Sequence, residues 1–200
     1  MIGKNLQKHH TEFCGYIDRH QYEIAPEGLY VPKARTMLRG TYISSVNGED
    51  ERIDHNIIPT EGLNHFLSVC LKSGSQITAW YLALYSGAYT PLATLTAATF
   101  TSLTTEIDNS NAAEKYSEAT RVAWVGDAVD TTNAEVTNTA SPAAFTIVTA
   151  SALVVNGAGM LSASAKASTA GTLMSAVRFV AARSLANTDV FNLKYKVDAD

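Results

Sequence analysis

Two hundred residues, 17% of them charged, with a net charge of −4 and a pI near 5.7, suit one domain plus an appendage. Binding to nucleic acid needs a clustered excess of basic side chains, and 15 Lys and Arg against 19 Asp and Glu do not supply it. No window reaches the ~18 apolar residues of a membrane span. The opening MIGKNLQKHH has no apolar run fit for a signal peptide, and the two distant cysteines, Cys14 and Cys70, read as reduced thiols. The expectation is a soluble protein made in a cytoplasm.

In chain order, residues 1–36 come first as an extended N-terminal arm. Pro26, Gly28 and Pro32 exclude a long helix there. The arm nevertheless holds Phe13, Tyr16, Ile17, Tyr22, Ile24, Leu29 and Tyr30, more apolar and aromatic content than a solvating tail carries. These seven are the candidate partner-contact residues, in an arm that orders on a partner or a neighbouring subunit; the alternative is a loop packed on its own domain.

A domain over 37–200 follows and opens with a hairpin at 37–57. Asn47-Gly48 suits a type I′ turn, which needs positive φ at both central residues. The return strand, with Glu49, Asp50, Glu51, Arg52 and Asp54, is charged enough for an exposed edge.

The stretch from Asn56 to Gly87 then predicts a helix over 60–73 feeding a buried strand. Pro59 suits the helix entry, with the Thr60 hydroxyl as its cap. Leu63, Phe66, Leu67, Cys70 and Leu71 form one apolar stripe at i, i+3, i+4, i+7 and i+8, expected to face the core, and Gly74 is expected to stop the helix. Trp80, Leu82 and Leu84 alternate with Tyr81, Ala83 and Tyr85, so the strand can be covered on both faces.

Residues 91–118 read as a Thr- and Ala-rich excursion with at most one strand, a turn at Asp108–Asn111 and one helical turn over 113–118. From Thr120, short strands recur with Gly, Asn and Pro between them, the last over Val190–Val197. The pattern predicts a mainly β fold, an antiparallel jelly-roll-like β-sandwich with one short amphipathic helix. Of residues 131–176, 26 are Ala, Ser or Thr and only Glu135 and Lys166 are charged, a composition suited to contact with other subunits.

Groups that carry chemistry do not assemble in the sequence. His9, His10, His20, His55 and His65 lack zinc-ligand spacing with the cysteines or carboxylates. His65 and Cys70 share a helix but fall on different faces. Glu114, Glu118, Asp127 and Asp130 read as a solvated acidic rim rather than a paired acid and base. Asn156-Gly157-Ala158-Gly159 lacks the Lys and Ser/Thr of a phosphate loop and reads as a hairpin turn. No catalytic residue, cofactor or metal is expected, and the chain does not read as an enzyme.

Several ordered pieces carry a resemblance. They are Asn56 with Glu61-Gly62-Leu63-Asn64-His65 and Leu67; Trp80-Tyr81, Leu84-Tyr85 and Gly87; Glu114, Tyr116, Glu118, Thr120 and Arg121; and Asp189, Phe191, Leu193, Tyr195 and Val197. Glu114 stands nearer Tyr116 than that pattern has it. The set, spanning about residues 40–198, resembles a family of tailed-bacteriophage virion proteins. The resemblance implies a head decoration or cement protein with a jelly-roll fold, assembled as a trimer or dimer over junctions between capsid subunits. The implied partners are the major capsid protein and copies of the chain itself, with no nucleic acid, membrane or small-molecule substrate. The implied location is the capsid surface of the virion, after synthesis in the bacterial cytoplasm. The alternative is a tail or fibre component that binds a host receptor.

Overall fold

The computed structural model describes residues 22–24, 30–32 and 38–199, in two units, residues 1–37 and Leu38–Ala199. In the first unit β1 (Tyr22–Ile24) and β2 (Tyr30–Pro32) pair antiparallel, with Tyr22 opposite Pro32. The remaining arm residues singled out above, Phe13, Tyr16, Ile17 and Leu29, lie outside the described residues.

The second unit is a β-sandwich. One sheet has the order β4 (Glu49–His55), β3 (Leu38–Val46), β12 (Val190–Ala199), β9 (Ala143–Thr149) and β6 (Glu114–Tyr116), with β8 (Glu135–Val136) also on β12. The facing sheet has the order β11 (Leu173–Leu185), β10 (Leu153–Leu161), β5 (Trp80–Tyr85) and β7 (Val122–Trp124). All pairings are antiparallel. Alternate residues of each strand point between the sheets. Tyr42, Tyr116, Phe145, Ile147, Phe191, Leu193 and Tyr195 meet Leu82, Leu84, Ala158, Met160, Val177 and Phe179 in the main core. The β3–β4 hairpin turns at Asn47 (φ 53°) and Gly48 (φ 83°), and β4 is the exposed edge its charges suggest.

A second apolar cluster lies on the outer face of the four-stranded sheet. Ala83, Tyr85, Leu161, Leu173 and Ala176 are covered there by Leu95, Ala97 and Phe100. The covering element is a helix, α2 (Ala97–Thr104), where the sequence suggested at most a strand; α1 is the earlier helix, Thr60–Leu71. Thr96 and Thr99 cap the start of α2 reciprocally, and Ala97, Phe100 and Thr104 fall on one buried face. Threonine is a poor helix former, and here it hid a helix of 8 residues. The helical turn expected over 113–118 is instead β6, which pairs with β9.

The glycines after Asn156 correct a further expectation. They lie inside one continuous strand, β10, rather than in a hairpin turn. A Cβ on Gly157 would meet the Tyr85 ring and the Val177 carbonyl, and one on Gly159 would meet the Phe100 ring 2.5 Å away. Glycine is needed there so that the strand can pass beneath aromatic rings.

Polar ties join the sheets. The Tyr42 hydroxyl lies 2.8 Å from Ser175 Oγ, linking β3 to β11. Arg183 of β11, buried, donates to the Ser44 carbonyl at 2.8 Å and to the Asp50 carboxylate and carbonyl at 2.6 and 2.9 Å. Beside it, Asp54 accepts the Val180 N–H at 2.7 Å, where β11 bulges away from β10.

Candidate contact surface

Helix α1 does not sit as its pattern predicts. Its apolar stripe faces away from the sandwich, with Leu63 41%, Phe66 42%, Leu67 50% and Leu71 76% exposed, and Cys70 exposed among them. The opposite side, with Gly62 buried and His65 and Val69 half-buried, faces inward. The cause is the close approach of the helix backbone to β11. A Cβ on Gly62 would lie 2.5 Å from the Met174 carbonyl oxygen and 3.0 Å from that of Leu173. The lead-in fixes the same seat, because Ile57 and Ala176 exchange backbone hydrogen bonds at 3.0 and 3.1 Å. The helix therefore packs on β11, not on the strand that follows it.

The ends of α1 also differ from expectation. Pro59 occupies the N-cap position with no side-chain cap, and the Thr60 N–H donates to the Ala93 carbonyl at 2.9 Å. The helix ends at Leu71, with Ser73 in the left-handed region at φ 54°, before Gly74 is reached.

Glu61, in the first turn, accepts the Ala97 N–H at 2.8 Å and the Leu173 N–H at 2.7 Å, both on Oε2. One carboxylate oxygen thus holds the starts of α2 and β11 against α1. Within the stretch Glu61 to His65, Glu61 and His65 are turned to structural use, the latter against Trp80.

Next to α1 lies a cleft of about 470 Å³ lined by Trp80, Ala123, Trp124, Val125, Gly126, Asp127 and Val136. Trp80 and Trp124 are direct cross-strand partners, and Trp124 Nε1 donates to the Tyr195 carbonyl at 3.1 Å, which fixes its ring. His65 meets Trp80 edge-on with ring centres 5.7 Å apart, so the cleft begins at the base of α1. Val125 and Val129 are 57% and 64% exposed.

Several charged groups elsewhere are tied down. Arg121 and Glu106 form a two-pronged ion pair, both bonds 2.7 Å, with both side chains fully buried. Thr101 donates to the same carboxylate, and the guanidinium also donates to the Ala163 and Ser168 carbonyls at 3.0 and 3.1 Å. The pair ties α2 and the β6–β7 connection to the β10–β11 loop. Lys166 lies 3.5 Å from the Tyr116 ring centre and donates to Asn109 Oδ1 and the Tyr116 carbonyl, both at 2.9 Å. Burial pulls its ammonium down to about 8 against the pull of Glu118. Burial likewise raises the Tyr116 phenol well above its ordinary range, and its hydroxyl has no hydrogen-bond partner among the described residues.

The four rim carboxylates do not converge. Glu118 accepts the Thr146 N–H at 3.1 Å, Asp127 the Ala140 N–H at 3.2 Å and Asp130 the Thr132 N–H at 2.8 Å, while Glu114 accepts from Asn111 at 3.3 Å. Among the described residues no group of three His, Cys, Asp or Glu side chains is placed to share a metal ion. No described helix is long and apolar enough to cross a membrane.

The charge-poor run 131–176 is part core and part surface, with 131–134, 139–141 and 150–152 exposed. Phe145, Ile147, Leu153, Val155, Met160 and Leu161 are buried on β9 and β10, which are flanked by strands on both sides. Contact surface is better sought at α1 and the tryptophan cleft. Sequence reading missed that surface by assigning its stripe to the core; the Gly62 that seats α1 on the other side was the available signal. No family model matches the chain, and comparison with curated proteins and with solved structures finds no match.

Proposed function

We propose that this chain is a structural protein of a bacteriophage virion, a decoration or cement protein that binds at junctions between major capsid subunits and stabilises the head. The observation that carries the reading is the outward apolar face of α1 on a sandwich whose buried charges, Arg121, Glu106, Arg183 and Asp54, are spent on internal ties. Four large side chains exposed on one helix face make a contiguous apolar patch of the kind that is often functional. The ordered residues that resemble phage virion proteins supply the context. A protein that binds only the assembled shell stabilises it by mass action. The test compares heads with and without the protein under heat or osmotic shock. Heads that carry it should rupture at higher temperature, and equal resistance would overturn the reading.

The Trp80–Trp124 cleft favours one alternative, a tail or fibre component binding a host receptor, because indole faces stack on sugar rings. Copy number separates the two readings: a cement protein is present in hundreds per particle, a tail component in a handful.

A further inference from the structure

We infer that the outward face of α1 is the docking surface for the N-terminal arm of a second copy of this chain, so that two copies associate by exchanging arms. The inference gives the assembly reading a specific partner, yet it is testable on the purified protein without a capsid.

The face consists of Leu63, Phe66, Leu67 and Leu71, exposed in the single chain. From their exposures they present roughly 300–400 Å² of largely apolar surface, the size of the largest patch on an ordinary monomer, which is often a functional one. Pairing two such faces helix to helix would bury only about 700 Å² in total, below what a specific interface needs. Exchanged arms cover two faces with two arms and bury about 1,400 Å², within the range of stable complexes.

The arm has the matching chemistry and reach. Phe13, Tyr16, Ile17, Tyr22, Ile24, Leu29 and Tyr30 put seven apolar side chains into 18 residues. The chain enters the sandwich at Leu38, opposite Ala199 on β12. Two residues on, the Gly40 carbonyl accepts the Asn56 N–H at 3.3 Å, four residues before α1 begins. The root of each arm therefore lies beside the lead-in to α1. Two copies related by a twofold axis near that point place each root close to the other's helix, and with β1 and β2 paired the roughly 15 residues from Phe13 to Tyr22 and from Pro32 to Leu38 can still span about 50 Å when extended.

The two cysteines provide the probe. Cys70 is exposed on the docking face and Cys14 lies among the arm's apolar residues. Isotope-labelled and unlabelled full-length protein are unfolded together, refolded, and oxidised briefly with copper phenanthroline, which removes one electron and one proton from each thiol. The expected product is a disulfide-linked dimer whose Cys14–Cys70 peptide joins one labelled and one unlabelled half. It should vanish in Cys14→Ser and in Cys70→Ser, and fall at least tenfold in Leu67→Lys/Leu71→Lys with unchanged far-ultraviolet circular dichroism. A Cys14–Cys70 peptide within single copies only would assign the face to the chain's own arm and overturn the exchange. So would a Cys70–Cys70 product alone, or no disulfide while both thiols react with iodoacetamide. A failed exchange with heads still stabilised would leave the cement reading standing.

Discussion

Glu61 and the Arg121–Glu106 pair show how single charges hold this sandwich together. Both backbone N–H groups held by Glu61 depend on one oxygen, so removing the carboxylate leaves two donors unpaired. Glu61→Ala is expected to destabilise the fold by roughly 2–4 kcal/mol in urea unfolding. Glu61→Gln keeps an acceptor oxygen in place and should cost about 1 kcal/mol or less. The buried ion pair behaves differently because desolvating two charges offsets much of their attraction. Arg121→Met or Glu106→Leu alone strands a buried charge and should cost about 3–5 kcal/mol. The double variant should cost less than either single one, a non-additivity that a double-mutant cycle reads directly.

At the scale of elements, α1 is a helix whose burial was misread from a correct periodicity. Its stripe is real, but periodicity reports that a helix has an apolar face, not which surface covers it. The close seat of Gly62 on the β11 backbone decided the orientation, and β11 lies more than 100 residues downstream of α1 in sequence. Because the stripe is exposed in the single chain, Leu67→Lys/Leu71→Lys should leave the unfolding free energy of the monomer, measured at concentrations too low for association, within about 0.5 kcal/mol of the parent. A stripe buried in the core would instead lose several kcal/mol. The hairpin at Asn47-Gly48, the doubly covered strand at Trp80–Tyr85 and the final strand were legible, since turn chemistry and alternation are local signals. Helix α2 was not, because threonine caps and a short apolar triad resemble a loop. Nor was β10, whose glycines are explained only by Tyr85 and Phe100 crossing over it. Of the candidate contact residues in the arm, Tyr22, Ile24 and Tyr30 fall in strands, and Phe13, Tyr16, Ile17 and Leu29 lie outside the described residues.

For the whole molecule, the pH dependence of stability follows from which buried groups resist ionisation. Lys166 has its pKa lowered in the fold to about 8, so the unfolded chain holds the proton more tightly between about pH 8 and 10.5. Stability from this group therefore grows as pH rises through that window, is lost as pH falls from 10.5 to about 8, and does not change further below it. Tyr195 is pushed up to about 12 by burial, and burial also raises Tyr42, Tyr85 and Tyr116. Their stabilisation is fully present below pH 10 and is lost above it, Tyr195 alone accounting for on the order of 2–3 kcal/mol. Unfolding midpoints should rise from pH 8 toward 10 and drop beyond it. Of the nine tyrosines, these four should ionise only as the fold is lost, visible as a delayed rise in absorbance near 295 nm.

The assembly reading joins these scales, since a rigid, internally tied sandwich offers its apolar helix face to other molecules. Electron microscopy of phage particles carrying the labelled protein tests that claim most directly. The expected result is label over the whole head, at junctions between capsid subunits and in hundreds of copies. Label confined to the tail, or absent from the particle, would contradict it.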